Sequence, residues 1–575
     1  MNITSKIKIF STFQGLVFCF MIALLQLLSP AVYAQNTPLT KEDSIGIVDS
    51  TTTSANSTTP VVVALPQPPI AEEADGLYGL GWGVSALLVL SLLIAFAFEF
   101  INGFHDTANA VATVIYTNAL KPQTAVVWSG FCNFLGVLWG SMGGLAVAMS
   151  IVYLLPVELL IDQNIGHSLA MVYAMLFSAI VWNLGTWYFG LPASSSHTLI
   201  GSILGIGLGY SFLPENVTGQ TAVNWTKATD IGLSLLFSPF FGFMMTILLM
   251  LVLRFIYRTP KKRRKEMMER GMTAEQIEAE NMQSVNIFKS PKEGQTPPFW
   301  TKITLWTTCT LVSFFHGNND GQKGIGLVML ILVGVAPTYF ALNEGADTAK
   351  DLKYISEIQA VMSKMTPPQL GEKERALYDK MTINLADLSA KLQANPNIAT
   401  LPRNERNSIR KNLLLAESNA KKLLKSENIK GVITKVESEK VTKTFKSVKG
   451  DLVDYAPWWV AICISLALGI GTMVGWKRIV VTIGEKIGKE HLSYAQGASA
   501  ELVAATTIGL ASSFGLPVST THVLSSGIAG SMVASKGVKN LNKGTARNIL
   551  LAWVLTLPVT MAMSAMLFIL FRYMF

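Results

Sequence analysis

Long windows of this chain, such as residues 124–157, 231–253, 455–476, 502–535 and 548–571, contain no Asp, Glu, Lys or Arg. A helix needs roughly 20 apolar residues to cross a hydrocarbon core of about 30 Å, so each window is long enough for a membrane span. A water-soluble domain would have to bury all of them at once, and the chain reads instead as an all-α polytopic membrane protein. Composition agrees: of 575 residues half are hydrophobic and 14% are charged, and the charges are gathered into a few stretches.

A net charge of +9 does not point to nucleic acid, because the basic residues stand beside apolar spans, as Arg254, Arg258, Lys261, Lys262, Arg263, Arg264 and Lys265 do. That is a topology signal. Cys19 lies in the leader, and Cys132, Cys309 and Cys463 lie singly in apolar segments, so neither a disulfide framework nor a CxxC metal site is indicated.

The chain also writes one pattern twice. Gly103-Phe104-His105-Asp106 is followed by Gly190-Leu191-Pro192-Ala193-Ser194-Ser195-Ser196-His197, and Gly317-Asn318-Asn319-Asp320 by Gly515-Leu516-Pro517-Val518-Ser519-Thr520-Thr521-His522. Acid and histidine are 91 residues apart in the first copy and 202 in the second; the difference, 111, is the length of the polar run 344–454. A duplicated membrane unit with an insertion in its second copy accounts for this.

Residues 1–34 carry Lys6 and Lys8, an apolar run, and a small-residue end at Val32-Tyr33-Ala34, the layout of a cleaved signal peptide. Residues 35–76, rich in Thr, Ser and Pro, read as a disordered extracytoplasmic tail. The first repeat spans 77–258, with helices expected from near Gly81 to a break at Asn102-Gly103, on to about Leu120, and then over 124–150, 168–189, 192–213 and 230–257. A basic loop, 259–298, is expected in the cytoplasm. The second repeat comprises 299–343 and 455–575, interrupted by an extracytoplasmic helical insertion, 344–454, that reads as a small solvated domain or a flexible arm.

Lys477, Arg478, Lys486 and Lys489 in one loop, and Lys536, Lys539, Lys543 and Arg547 in another, belong inside by the same rule; loops 151–167 and 214–229, poor in basic residues, belong outside. The two repeats then run in opposite directions, an inverted-topology repeat whose broken or re-entrant helices meet at the midplane.

An ionisable side chain at mid-bilayer costs roughly 2.5 to 3.5 kcal/mol on insertion scales, so it is kept for a partner or a pathway. Asp106, Asp320, Lys323 and Glu501 lie in apolar surroundings, and His105, His197, His316 and His522 fall in the motifs. Gly-Leu-Pro breaks a helix, and the next helix begins with unpaired N–H groups that attract anions. Ser194, Ser195, Ser196 and Thr198, with Ser519, Thr520 and Thr521, add hydroxyl donors there. One such turn alone would read as an N-cap; two matched turns read as a site for a tetrahedral oxyanion. Asp106 and Asp320, with Asn102, Asn109, Asn318 and Asn319, offer oxygens to hard cations such as Na⁺ or Mg²⁺, or take up protons, and His105 is placed to relay one.

At these residues the chain resembles the inorganic phosphate transporter (Pit) family. Asn102 to Ala110, His316 to Gly324 and Leu516 to His522 are similar to its bacterial low-affinity, proton-coupled branch, and the likeness covers about 81–575. The resemblance implies phosphate held near the midplane by the helix-end hydroxyls, and cation or proton coupling through His105, Asp106, Asn109, Asn319, Asp320 and Glu501. It implies no cofactor and no fixed metal, with a divalent metal carried together with hydrogen phosphate in the bacterial branch. Sodium-coupled members carry a small residue and Asn before the first Asp, where this chain has Phe104-His105; proton coupling is therefore expected, with Na⁺ the alternative. Lys323 replaces Asn109 when the motifs are aligned, as a charge partner for Asp106, Asp320 or Glu501, or as a phosphate contact, the ion pair being favoured. Glu501 matches an intramembrane glutamate of the family and has Leu176 as its counterpart, so it serves one side of the site only.

A membrane hydrolase is disfavoured: Ser196 and His197 are chain neighbours and no Gly-x-Ser-x-Gly elbow appears. A channel has no need of titratable groups in each repeat, and no signalling module marks a sensor. The expectation is a secondary active phosphate symporter of the cell membrane, not an enzyme. Its partners are phosphate and the bilayer, not nucleic acid, with a second copy of the chain left open.

Overall fold

The computed structural model describes residues 76–575 except 156–164, 214–222, 260, 275, 278–279, 281–285, 292–294, 366–369, 427–428 and 430–431. The expected signal peptide, nearly all of the expected tail, and parts of loops 151–167 and 214–229 lie outside the described residues. Contacts divide the chain into two units, one ending at Val89 and including Met574 and Phe575, the other Leu90–Tyr573. In the first, a 3-10 turn at Leu77–Gly79 is tied by the Leu77 N–H, which donates to Ser85 Oγ at 2.9 Å.

The described residues are almost wholly helical. The membrane part is built from α1 (Trp82–Tyr116), α2 (Pro122–Met142), α3 (Ala146–Val152), α4 (Ile165–Tyr188), α5 (Ser195–Ser211), α6 (Trp225–Ile256) and then, after a short basic α7 (Lys261–Glu269), α8 (Phe299–Val335). Four helices of the insertion follow, α9 (Thr348–Met362), α10 (Glu372–Ala394), α11 (Arg403–Leu424) and α12 (Lys435–Leu452). The chain then returns through α13 (Trp458–Thr472), α14 (Lys477–Val481), α15 (Tyr494–Ser513), α16 (Thr520–Lys536) and α17 (Lys543–Arg572). Among the described residues five helices are long and apolar enough to cross a membrane, or six if α13 and the bent segment after it count as one span.

Two expected helices are redrawn. The run 124–150 is not one helix: α2 ends at Met142, Gly144 takes φ +118°, and α3 starts at Ala146. Nor does the chain break at Asn102-Gly103, because α1 and α8 run unbroken through both Gly-x-x-Asp motifs. The reason is close packing. A Cβ on Gly103 would lie 2.4 Å from Leu468 O, and one on Gly317 would lie 2.2 Å from Asn133 O. These glycines let helices touch backbone to backbone, the way apolar helices gain contact when lipid provides no hydrophobic drive between them.

The contacts are reciprocal between the halves. Gly471 of α13 meets Phe100 O of α1, with a built Cβ at 2.1 Å, and Gly136 of α2 meets Phe314 O of α8, at 2.0 Å. Phe100 and Phe314 each stand six residues before their motif aspartate. Likewise Gly205 of α5 lies against Met561 O of α17 (2.3 Å) and Gly530 of α16 against Phe243 O of α6 (2.5 Å). Each half thus packs its key helices on those of the other.

The two Gly-Leu-Pro breaks occur as expected, between α4 and α5 and between α15 and α16. The loops expected on one side of the membrane are found together: Asn542 N–H donates to Ile487 O at 3.0 Å and Lys489 N–H to Asn540 O at 2.9 Å. At the other end, Asn343 and Leu452, the neck of the insertion, are joined by a 2.8 Å backbone bond, and near them Tyr153 O–H donates to Asp454 at 2.5 Å and Asn224 Nδ2 to Tyr153 O at 3.1 Å. The insertion is helical, and its helices bury Ile355, Leu385, Leu413 and Phe445.

Candidate functional site

The two broken hairpins are built alike. Gly190 (φ +66°) and Gly515 (φ +68°) take the left-handed turn that glycine enters without steric cost. Leu191 N–H then returns to Thr186 O and Leu516 N–H to Ala511 O, both at 2.9 Å. Ser194 caps α5 by accepting from His197 N–H at 3.2 Å, and Ser519 caps α16 by accepting from His522 N–H at 3.1 Å. Both helices therefore begin on a pair of hydroxyl residues, Ser195-Ser196 and Thr520-Thr521.

The two starts meet. Ser196 Oγ donates to Val518 O at 3.1 Å, and the rings of His197 and His522 lie 4.5 Å apart. Between them sits Asp106 of α1, 1% exposed. Ser195 donates to its Oδ2 at 3.1 Å, Thr521 to its Oδ1 at 2.7 Å, and Thr520 stands 3.5 Å from Oδ2. One carboxylate thus collects hydroxyls from both helix ends, the arrangement that any other oxyanion would need.

Around this point the remaining residues close in. His105 Nδ1 lies 3.2 Å from Asp106 Oδ1, and its Nε2 lies 3.2 Å from Thr186 Oγ1. Asn109 Nδ2 donates to Thr521 Oγ1 at 2.9 Å. On the other motif, Asn319 Nδ2 donates to Ser512 Oγ at 2.9 Å and to Leu516 O at 3.2 Å, while its Oδ1 accepts from Val518 N–H at 3.3 Å, so it splints the second break. Lys323 Nζ donates to Asp320 Oδ1 (2.6 Å), Ser196 Oγ (2.6 Å) and Val518 O (2.8 Å). Of the three carboxylates considered as partners for Lys323, Asp320 is the one beside it.

His316, a motif residue outside the expected site, also joins the cluster. Its Nδ1 lies 2.8 Å from Asn133 Oδ1, and Asn133 Nδ2 donates to Thr472 Oγ1 at 3.1 Å. The amide oxygen of Asn133 therefore needs a donor, which assigns the His316 proton to Nδ1 and turns Nε2 toward Asp320 Oδ2 (3.2 Å) and Asp106 Oδ2 (3.6 Å). Asp106, His316 and Asp320 offer ligand atoms all within 4.8 Å of one another, each buried. Two carboxylates and one imidazole nitrogen suit a proton or a divalent cation better than Na⁺, which prefers oxygen ligands throughout. The sequence signal for His316 was its place four residues before Asp320, one turn along the same helix face.

Three expected site residues spend their hydroxyls on the backbone: Ser194 and Ser519 as caps, and Thr198 by donating to Ser194 O at 2.9 Å. Glu501 is not gathered with the others. It is fully buried two helical turns beyond Asp106, where Thr113 donates to Oε1 and Thr308 to Oε2, the latter at 2.5 Å. Glu99, absent from the expected site, is fully buried on the opposite flank and accepts from Asn102 Nδ2 at 3.1 Å.

The phosphate transporter family (PHO4) matches residues 102–564. The low-affinity inorganic phosphate transporter PitA of Escherichia coli (strain K12) is 42% identical over 513 residues, 85% of this chain and 97% of that protein, and PitB of the same strain matches at 42% over the same shares. A probable low-affinity inorganic phosphate transporter of Bacillus subtilis (strain 168) is 27% identical, over 85% of this chain and 99% of that one. Among solved structures, a sodium-dependent phosphate transporter aligns with 85% of this chain and 99% of its own, at 20% identity and a TM-score of 0.45. The family match spans most of the chain and both motif copies, and the protein belongs to the phosphate transporter family.

Proposed function

We propose that the chain is a secondary active transporter of inorganic phosphate, working by alternating access in the cell membrane as a phosphate–proton symporter. The observation that carries this is the convergence on Asp106 of hydroxyls from both helix starts. Phosphate entering the site competes with Asp106 for Ser195, Thr520 and Thr521, and Lys323 supplies the positive charge. Displacing Asp106 leaves a buried carboxylate whose charge must be met, and His105 and His316 are the groups beside it that can bring a proton. This ties proton uptake to anion binding.

The nitrogen ligand of His316 in the Asp106–His316–Asp320 cluster favours protons, or a divalent metal carried with the phosphate, over sodium. The interlocked halves support an inverted repeat, with the basic loops on the cytoplasmic side and the insertion outside. Relatives named as inorganic phosphate transporters support the cargo.

The double variant Ser195→Ala/Thr521→Val removes one donor from each helix end and leaves both caps. Its expected phosphate uptake, per folded protein in the membrane, is at least about tenfold below wild type, as two lost charge-assisted bonds at roughly 1.5 kcal/mol each require, with some loss of thermal stability because both hydroxyls also serve Asp106. Uptake at the wild-type level would contradict the reading.

A further inference from the structure

Beyond α13 the chain turns through 54° into a short segment that ends in a π-helical turn, Thr482–Lys486. Gly475 makes the bend with φ +73°. Gly484 presses this segment onto α1, since a Cβ there would sit 2.0 Å from the Tyr116 ring. Between the segment and the first Gly-Leu-Pro break lies a cavity of about 640 Å³, with Lys477, Arg478, Thr482 and Lys486 on one wall and Trp187 and Gly190 on the other.

The charge on that wall is not balanced. Arg478 is held in place, its guanidinium 4.9 Å from the Trp187 ring and 5.0 Å from that of Tyr188, with Nη1 donating to Tyr188 O at 2.8 Å. Stacking of this kind leaves the cation's charge intact. Lys477 and Lys486 have no ion-pair partner among the described residues. The carboxylate beside them, Glu485, accepts from Tyr116 O–H at 2.9 Å.

From the Trp187 wall, side-chain contacts lead toward Asp106. Trp187 meets Phe104 edge-on at 5.2 Å, and Thr186 reaches His105, which reaches Asp106.

We propose that this cavity is a phosphate vestibule serving one side of the membrane only, in which Lys477, Arg478 and Lys486 gather the hydrated anion at the Phe104–Trp187 layer. The proposal rests on the transport reading above. The cavity is far larger than a phosphate ion, and its lysines are exposed, so the anion keeps its water and is concentrated rather than fixed. Fields of this kind raise local anion concentration and encounter rate, and salt screens them over about 8 Å at 0.15 M. The basic loops place the vestibule on the cytoplasmic side.

The test is the initial rate of labelled phosphate entry into inside-out and right-side-out membrane vesicles carrying the full-length protein. At low ionic strength Lys477→Gln/Lys486→Gln raises the KM in inside-out vesicles by about threefold or more, within the range such steering covers, and high salt shrinks the difference. Lys477→Arg/Lys486→Arg keeps the wild-type KM. Lys539→Gln/Lys543→Gln removes equal charge outside the cavity lining and leaves the KM in place. If the Gln pair leaves the inside-out KM unchanged, or raises it equally in both vesicle types, while the wild type transports phosphate, the vestibule is overturned and the transport reading stands. A folded wild type that moves no phosphate in either vesicle overturns both.

Discussion

Lys323 and Asp320 are both buried, and each is expensive without the other. Their 2.6 Å contact is an i,i+3 pair on one helix, so the sequence alone could propose it. The added bonds from Nζ to Ser196 and Val518 O needed the folded chain, because one crosses to the first half and the other reaches 195 residues along the chain. Lys323→Met leaves the Asp320 charge without its counter-ion, at a cost of about 3 to 5 kcal/mol. In detergent the variant is expected to unfold at clearly lower temperature, and adding Asp320→Asn is expected to recover most of the loss without restoring phosphate uptake. A single variant as stable as the wild type would show that this pair does not hold the site. The helix-end hydroxyls were legible for a local reason: capping is decided by a few neighbouring residues. His316 and Glu501 were not placed by the sequence, because their partners Asn133, Thr113 and Thr308 come from other helices whose rotation only packing fixes.

At the scale of elements, the misread feature was glycine. Gly103 reads as a helix break, yet it and Gly317 serve close contact, whereas Gly190 and Gly515 make real turns with positive φ. The difference in the sequence is the Leu-Pro that follows the second pair, since proline cannot continue a helix from the preceding turn. The insertion offers a separate test, outside the membrane spans. Asp351, at the start of α9, has no exposed surface, and neither carboxylate oxygen has a hydrogen-bond donor. Burial first, and then the charge of Asp451, push its carboxyl up to about 7. An unfolded aspartate titrates near about 4, so its contribution to stability is fully present below that pH and is lost as pH rises toward about 7. Asp351→Asn is expected to flatten this dependence, gaining more thermal stability over wild type at pH 8 than at pH 5. An unchanged slope would mean that Asp351 is not the titrating group.

Across the whole molecule, no half of the chain owns the site. Asp106 comes from the first motif, yet it is held by Ser195 of one half and by Thr520 and Thr521 of the other, while Lys323 of the second motif reaches Ser196 of the first half. Shared ownership is what the proposed alternating access requires, since a rocking of one half against the other would change the grip on a bound anion without rebuilding it. The equal spacing of the duplicated motifs made the pairing visible in the sequence; the reciprocal helix exchange did not, because backbone approach at Gly136 and Gly471 leaves no pattern beyond a glycine. The most direct measurement is uptake of labelled phosphate into proteoliposomes under an imposed proton gradient, with Na⁺ and Mg²⁺ each present or absent. Uptake driven by the proton gradient without Na⁺, and enhanced by Mg²⁺, is the predicted result. Uptake that requires Na⁺ and ignores a protonophore, or no uptake by well-folded protein, would contradict the account.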